Sequence, residues 1–264
     1  MRYAPRLFMT DPLLDLAPPP DRQAYFRFSR TATYSFLAAL PLLVAYHVLI
    51  LLANTGSPRQ IRVGSEVWIQ ELLALLGATG MAVLGALVLI VGIVIFAAER
   101  PERIPIRRRY FGWMIAESAV YAVVLALVIG WTVGFLFSAA PSYATLMAQV
   151  GQPSYLLKLA LSLGAGIYEE LVFRVVLVGG LAWAVHRLTA WERPRAYAVA
   201  AIVGALVFSA VHYLGPLGDP FALPSFTFRF LFGLALNAVF LVRGFGIAAW
   251  THALYDVLVV TFFA

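Results

Sequence analysis

Glu169 and Glu170 stand side by side inside a long apolar run, residues 155–186, and Arg174 follows four positions after Glu170. Two carboxylates and a guanidinium at membrane depth cost about 2.5–3.5 kcal/mol each even on lenient insertion scales, so their presence calls for a function. Two further motifs follow with helical i,i+4 spacing, Phe208 with His212 and His252 with Asp256, each placing its pair on one helix face. Glu170 shares a face with Arg174 in the better order, glutamate first, and reads as a structural carboxylate neutralised by that arginine. Glu169 lies about 100° around the helix and cannot use the same cation. It needs a partner from another segment. A carboxylate set beside an imidazole is the arrangement a general base requires for activating water. The competing reading is a buried ion-pair network that only fixes helix packing. Two carboxylates, one arginine, two histidines and an aspartate on three segments favour chemistry.

Those segments must be membrane helices. The chain has 264 residues, 62% of them hydrophobic and only 12% charged, and its mean hydropathy is +0.87. A soluble domain carries about 25% charged residues, so the expected class is all-α, a polytopic transmembrane bundle of about seven spanning helices. Stretches near 32–53, 72–98, 111–139, 155–186, 196–214, 226–243 and 245–264 are long enough to cross a hydrocarbon core. The last connection, Arg243-Gly244-Phe245, is tight and predicts an antiparallel hairpin. No internal repeat supports an inverted-repeat transporter. Residues 1–31 read as a cytoplasmic N-terminal segment without a cleavable signal, 32–150 as N-terminal transmembrane helices of unassigned role, and 151–264 as the catalytic region.

Net charge is +6 and every basic residue but Lys158 is arginine. The arginines punctuate apolar runs instead of forming one solvated patch, which speaks against a nucleic-acid partner. They gather in alternate connections: Arg22, Arg27 and Arg30, with Arg2 and Arg6, before the first segment; Arg100 to Arg109 between the second and third; Arg187, Arg193 and Arg195 between the fourth and fifth. The opposite connections hold only Arg59 and Arg62, with Arg229 at a helix start. The expected location is therefore integral to a membrane, a bacterial inner membrane, with the N-terminus cytoplasmic. With no cysteine there is no disulfide framework and no thiolate ligand or nucleophile. His47 and Glu117 read as packing or snorkelling groups, Lys158 and Arg229 as end-of-helix cations, and Asn237 as a cross-helix hydrogen-bonding residue.

In order, Glu169-Glu170 with Arg174, Phe208 with His212, and His252 with Asp256 resemble the pattern of the CAAX prenyl endopeptidase and bacteriocin-processing (CPBP, or Abi) family of intramembrane proteases. The resemblance covers about 155–264. It implies peptide-bond hydrolysis in the bilayer, with Glu169 and His212 activating a water and His252 with Asp256 binding the oxyanion. Asp256 departs from members that carry asparagine there, because an ionised aspartate accepts only; its expected role is to orient the His252 imidazole. Family members are often called metalloproteases, and Glu169, His212 and His252 would make a two-histidine, one-carboxylate zinc set. No His-Glu-x-x-His motif is present, and a metal-free water activated by glutamate and histidine is the favoured expectation. The expected partners are the lipid bilayer and a membrane-associated protein or peptide, of prenylated or of leader or sorting-tail type. A proton-coupled transporter and a silent membrane scaffold or immunity-type protein are the competing classes. Helix-rise counting puts His212 near the far end of its segment, so bringing it beside Glu169 requires a tilted or shortened helix.

Overall fold

The computed structural model describes residues 21–56, 60–78, 80–137, 154–215 and 218–262, and among them there is no strand. The expectations for residues 1–20, including Arg2 and Arg6, and for Arg59 lie outside the described residues. Nine helices are described: α1 (Asp21–Phe28), α2 (Ala32–Ala53), α3 (Gly64–Leu75), α4 (Met81–Glu99), α5 (Arg108–Phe137), α6 (Tyr155–Thr189), α7 (Arg193–Val211), α8 (Leu223–Arg243) and α9 (Phe245–Phe262). Seven stretches are long and apolar enough to span a membrane, as the composition predicts.

One boundary differs. The apolar stretch expected to span 72–98 is broken at 76–80, where Gly77 and Gly80 adopt left-handed backbone at φ 74° and 93°. A short helix, α3, ends before the break and a spanning helix, α4, starts after it. Uninterrupted hydropathy hides such a break, because Leu and Ala continue through it and only the glycines mark the turn.

The bundle is organised around α9. In its spanning window 56% of residues are buried, against 11% for the span containing α4, so α9 is the core and α4 the rim. Small residues make the centre possible. A Cβ added at Gly166 of α6 would lie 2.5 Å from the Ala249 carbonyl oxygen and 2.6 Å from the Ala253 Cβ of α9, so these two backbones nearly touch. Small-residue contacts of this kind drive helix association where lipid offers no hydrophobic force. A Cβ at Gly246 of α9 would lie 2.9 Å from the Ser35 Cα of α2, and Trp250 donates from Nε1 to the Ala38 carbonyl at 2.8 Å, docking α9 on α2.

The helix ends are satisfied locally. The Glu99 carboxylate at the end of α4 accepts from the amides of Ala32 (2.9 Å) and Thr33 (2.8 Å), two of the orphan donors at the start of α2. Gly244, at φ 84°, makes the α8–α9 turn that the sequence predicts; a side chain there would collide with the Arg30 carbonyl, 3.1 Å from its Cβ position. The terminal hairpin is thereby seated against the entry to α2.

Candidate active site

Glu169 and Glu170 lie three and four residues beyond Gly166, next to the closest approach of α6 and α9. Here α6 leaves regular α geometry: Ala165–Glu169 and Leu171–Val178 are π-helical. Wide turns of this kind occur mostly as short bulges at functional sites, where they re-aim side chains. The hydrogen-bond register of a helix is not marked by residue type here, so the sequence does not announce this change of pitch.

Glu170 is fully buried and its Oε1 makes two contacts. It lies 3.1 Å from Arg174 Nη1, the i,i+4 partner expected from spacing, and 2.7 Å from Nδ1 of His252 on α9. The Arg174 guanidinium in turn lies over the Phe208 ring of α7, 4.5 Å from its centroid, and is 1% exposed. Phe208 therefore does more than fill space: its π face meets a buried cation. Its ring also meets His212 at 5.0 Å and His252 at 6.0 Å between centroids, both edge-on, while Phe232 of α8 flanks His252 from another side at 5.4 Å. These rings fix the imidazole plane. Its Nε2 then faces Asp256 Oδ2 at 3.6 Å and Glu169 Oε2 at 4.0 Å.

Exposure divides the carboxylates. The side chains of Glu170 and Arg174 are 0% and 1% exposed, whereas those of Glu169 and Asp256 are 18% and 24% exposed. The first pair is sealed inside; the second lines an approach to His252 Nε2. Glu170 Oε2 and all three guanidinium nitrogens of Arg174 find no hydrogen-bond partner among the described residues. The pair is held by charge and ring stacking rather than by aligned hydrogen bonds.

Two expectations change in detail. The orienting bond to His252 comes from Glu170 on Nδ1. Asp256 stands on the Nε2 side at 3.6 Å, beyond hydrogen-bond length. The reason is topological: α6 and α9 touch at Gly166, which brings Glu170 within reach of a residue 82 positions away. His212 does not hydrogen-bond Glu169. Its Nδ1 donates to the Phe208 carbonyl at 2.7 Å, which leaves Nε2 as the working nitrogen of the neutral ring. His212 remains within electrostatic reach of Glu169, Arg229 and His252. α7 stops at Val211 and His212 caps it, so this histidine stands at the end of its helix, as rise counting places it. Asp219 then donates its amide to the His212 carbonyl at 2.9 Å and pairs with Arg229, folding the connection back over the helix end.

Among the described residues no three His, Asp or Glu side chains converge as metal ligands. Glu170 occupies His252 Nδ1, and the Nε2 of that ring faces carboxylates on two sides. A carboxylate or carbonyl on Nδ1 is also how a metal-ligating imidazole is oriented, and in both His212 and His252 the Nε2 atom is the one left to bind.

Other residues were less legible. Glu66 of α3 is fully buried and takes Arg62 at 2.8 Å, Gln70 at 2.6 Å and the Tyr46 hydroxyl. The Arg62, Glu66, Gln70 spacing of four was the available signal. His47, expected to pack, binds the Leu43 carbonyl through Nδ1 and lies 3.3 Å from the Tyr168 hydroxyl through Nε2, so it touches the residue preceding Glu169. Asn237 donates to the Ala201 carbonyl of α7 at 2.8 Å, a cross-helix bond as expected.

Residues 151–258 match the family model described as Type II CAAX prenyl endopeptidase Rce1-like, and every site residue named above on α6, α7 and α9 lies within the matched stretch. No curated protein and no solved structure matches the chain.

Proposed function

We propose that this chain, whose residues 151–258 carry the Rce1-like domain, is an integral membrane endopeptidase that cleaves a peptide bond with a water activated by Glu169. The domain match supports the coarser part of that reading, a membrane CAAX-type endopeptidase. The finer part rests on one observation: the 2.7 Å contact of Glu170 with His252 Nδ1 aims Nε2 at the partly exposed edge where Glu169 and Asp256 stand.

Glu170, charge-balanced by Arg174, accepts the Nδ1 proton of His252 and fixes the ring's orientation, and with carboxylates facing both nitrogens the ring acts as the imidazolium, so Nε2 carries a proton too. The 4.0 Å gap between Nε2 and Glu169 Oε2 is too long for a direct hydrogen bond and leaves a water within reach of both. Glu169 takes a proton from that water as its oxygen adds to the peptide carbonyl carbon. The protonated Nε2 of His252 donates to the oxyanion, preorganised by its ring contacts with Phe208 and Phe232. As the carbon–nitrogen bond breaks, the proton passes from Glu169 to the leaving amine, with His212 Nε2 as the alternative carrier. Asp256, on the same side of His252, sets the charge that Nε2 experiences. The substrate is a membrane-associated protein or peptide, and the family description directs the first assay to a prenylated CAAX peptide.

The test is a comparison of membrane-proteome termini by mass spectrometry in cells carrying the protein or its Glu169→Gln variant. New termini present with the first and absent with the second, at equal protein abundance, support the reading. Persisting cleavage with Glu169→Gln, or transport of a solute lost without any cleavage product, overturns it.

A further inference from the structure

Glu169 stands between two neighbours that are tied to different halves of the chain. On one side, Glu170 binds His252 of α9 at 2.7 Å. On the other, the Tyr168 hydroxyl lies 3.3 Å from Nε2 of His47 on α2. His47 Nδ1 donates to the Leu43 carbonyl at 2.9 Å, so in the neutral ring Nε2 carries the lone pair and Tyr168 is the donor. Glu169 itself meets His252 across 4.0 Å. Its direction therefore follows from how the turn that carries it is held.

The Tyr168 side of that turn is firmly seated. Tyr168 is 2% exposed, and the Tyr46 ring meets it edge-on at 5.5 Å between centroids. Tyr46 rests on the α6 backbone at Gly164, where an added Cβ would lie 2.5 Å from Tyr46 Cε2. Its hydroxyl donates to Glu66 of α3, a fully buried carboxylate that also takes Arg62 and Gln70. Both oxygens of Glu66 are thus taken, and a fully satisfied buried network is rigid. Ala165–Glu169 is π-helical, and because its pitch departs from the regular helix, outside contacts decide where its side chains point. His47, Tyr46 and Glu66 all lie outside residues 151–258, the stretch that carries the family match.

We infer that His47 and Tyr168 are a positioning pair for Glu169: their bond holds the π-helical turn from α2, so that Glu169 faces the water beside His252 Nε2. Both act through Glu169 and not on the substrate. The inference rests on the peptidase reading and gives the N-terminal helices a part in the reaction.

The test measures kcat and KM in proteoliposomes, on the peptide whose new terminus the proteome comparison identifies. Tyr168→Phe keeps the ring and removes the donor, and His47→Leu removes the acceptor. Each should lower kcat about tenfold with KM within about twofold, because a slightly displaced base costs rate and not binding. The double variant should also lose about tenfold, not a hundredfold, since both changes delete one bond. His47→Gln, whose amide oxygen can accept from Tyr168, should recover to within about threefold of the parent. Losses that multiply in the double variant, a change confined to KM, or an unchanged kcat in both single variants overturns the inference. The peptidase reading survives those results as long as Glu169→Gln is inactive. Cleavage undiminished in Glu169→Gln, or no cleavage product from the parent, brings both down. Should His47→Leu misfold, nitrogen NMR of isotope-labelled histidine decides without turnover. His47 Nε2 should resonate as an unprotonated nitrogen and shift in Tyr168→Phe; an unmoved resonance overturns the inference.

Discussion

Two of the glutamate–arginine pairs in this bundle, one partly buried and one sealed, are built to opposite specifications. Glu117 and Arg243 join α5 to the end of α8 with every donor directed: Arg243 Nε to Glu117 Oε1 at 2.6 Å, Nη2 to Oε2 at 2.9 Å and to Ser29 Oγ at 2.8 Å, and Nη1 to the Phe26 carbonyl at 3.3 Å. The Tyr25 and Tyr121 hydroxyls fill the remaining acceptor positions on Glu117. Glu170 and Arg174 in α6 share only a 3.1 Å approach, and three guanidinium nitrogens and one carboxylate oxygen lack hydrogen bonds. A fully satisfied network rigidifies, whereas an under-satisfied buried group needs a reason beyond stability. The first pair is a clasp. The second holds charge in place beside a histidine.

Substitutions can break or sharpen that contrast. Glu170→Ala should have the largest effect: stripping the partner from a sealed arginine costs about 3–5 kcal/mol, read as a lowered thermal midpoint in detergent micelles, and cleavage fails with it. Glu169→Gln should lower the cleavage rate about a thousandfold, equivalent to about 4 kcal/mol of barrier, with the thermal midpoint almost unmoved. A large stability loss in that variant would erase the division between the sealed and the open carboxylate. Glu117→Gln should do the reverse, costing about 3 kcal/mol of stability while the rate per folded molecule stays within about twofold. Gly166→Ala pushes a methyl into the α9 backbone and should cost about 1–3 kcal/mol, with a fall in rate as His252 shifts relative to Glu169. Asp21→Asn removes exposed contacts with Arg107 at 2.9 Å and Arg109 at 2.5 Å and should change stability by about 1 kcal/mol or less, the more so in salt.

Sequence spacing reveals contacts within a helix and is silent on contacts between helices. The Glu170–Arg174 pair was readable because four residues on one helix determine it. Seven spans were readable because the bilayer sets their length. The bond from Glu170 to His252 was not, since it depends on how closely Gly166 lets α9 approach. Nor were the π-helical turns of α6, whose change of hydrogen-bond register no residue pattern marks. The orienting role expected of Asp256 follows from the family resemblance and from an ionised carboxylate being an acceptor only. The folded geometry puts the shorter contact on the other ring nitrogen, from a different helix.

The placement of α9 also bears on when the site comes into being during synthesis. Glu169 and Glu170 emerge from the ribosome on α6, some eighty residues ahead of His252 and Asp256. Until α9 enters the membrane and seats itself between α2 and α6, the carboxylates have no imidazole beside them. The nascent chain therefore passes through insertion with the candidate site unassembled, and the step that completes the core of the bundle is the one that brings the carboxylates and the imidazole together.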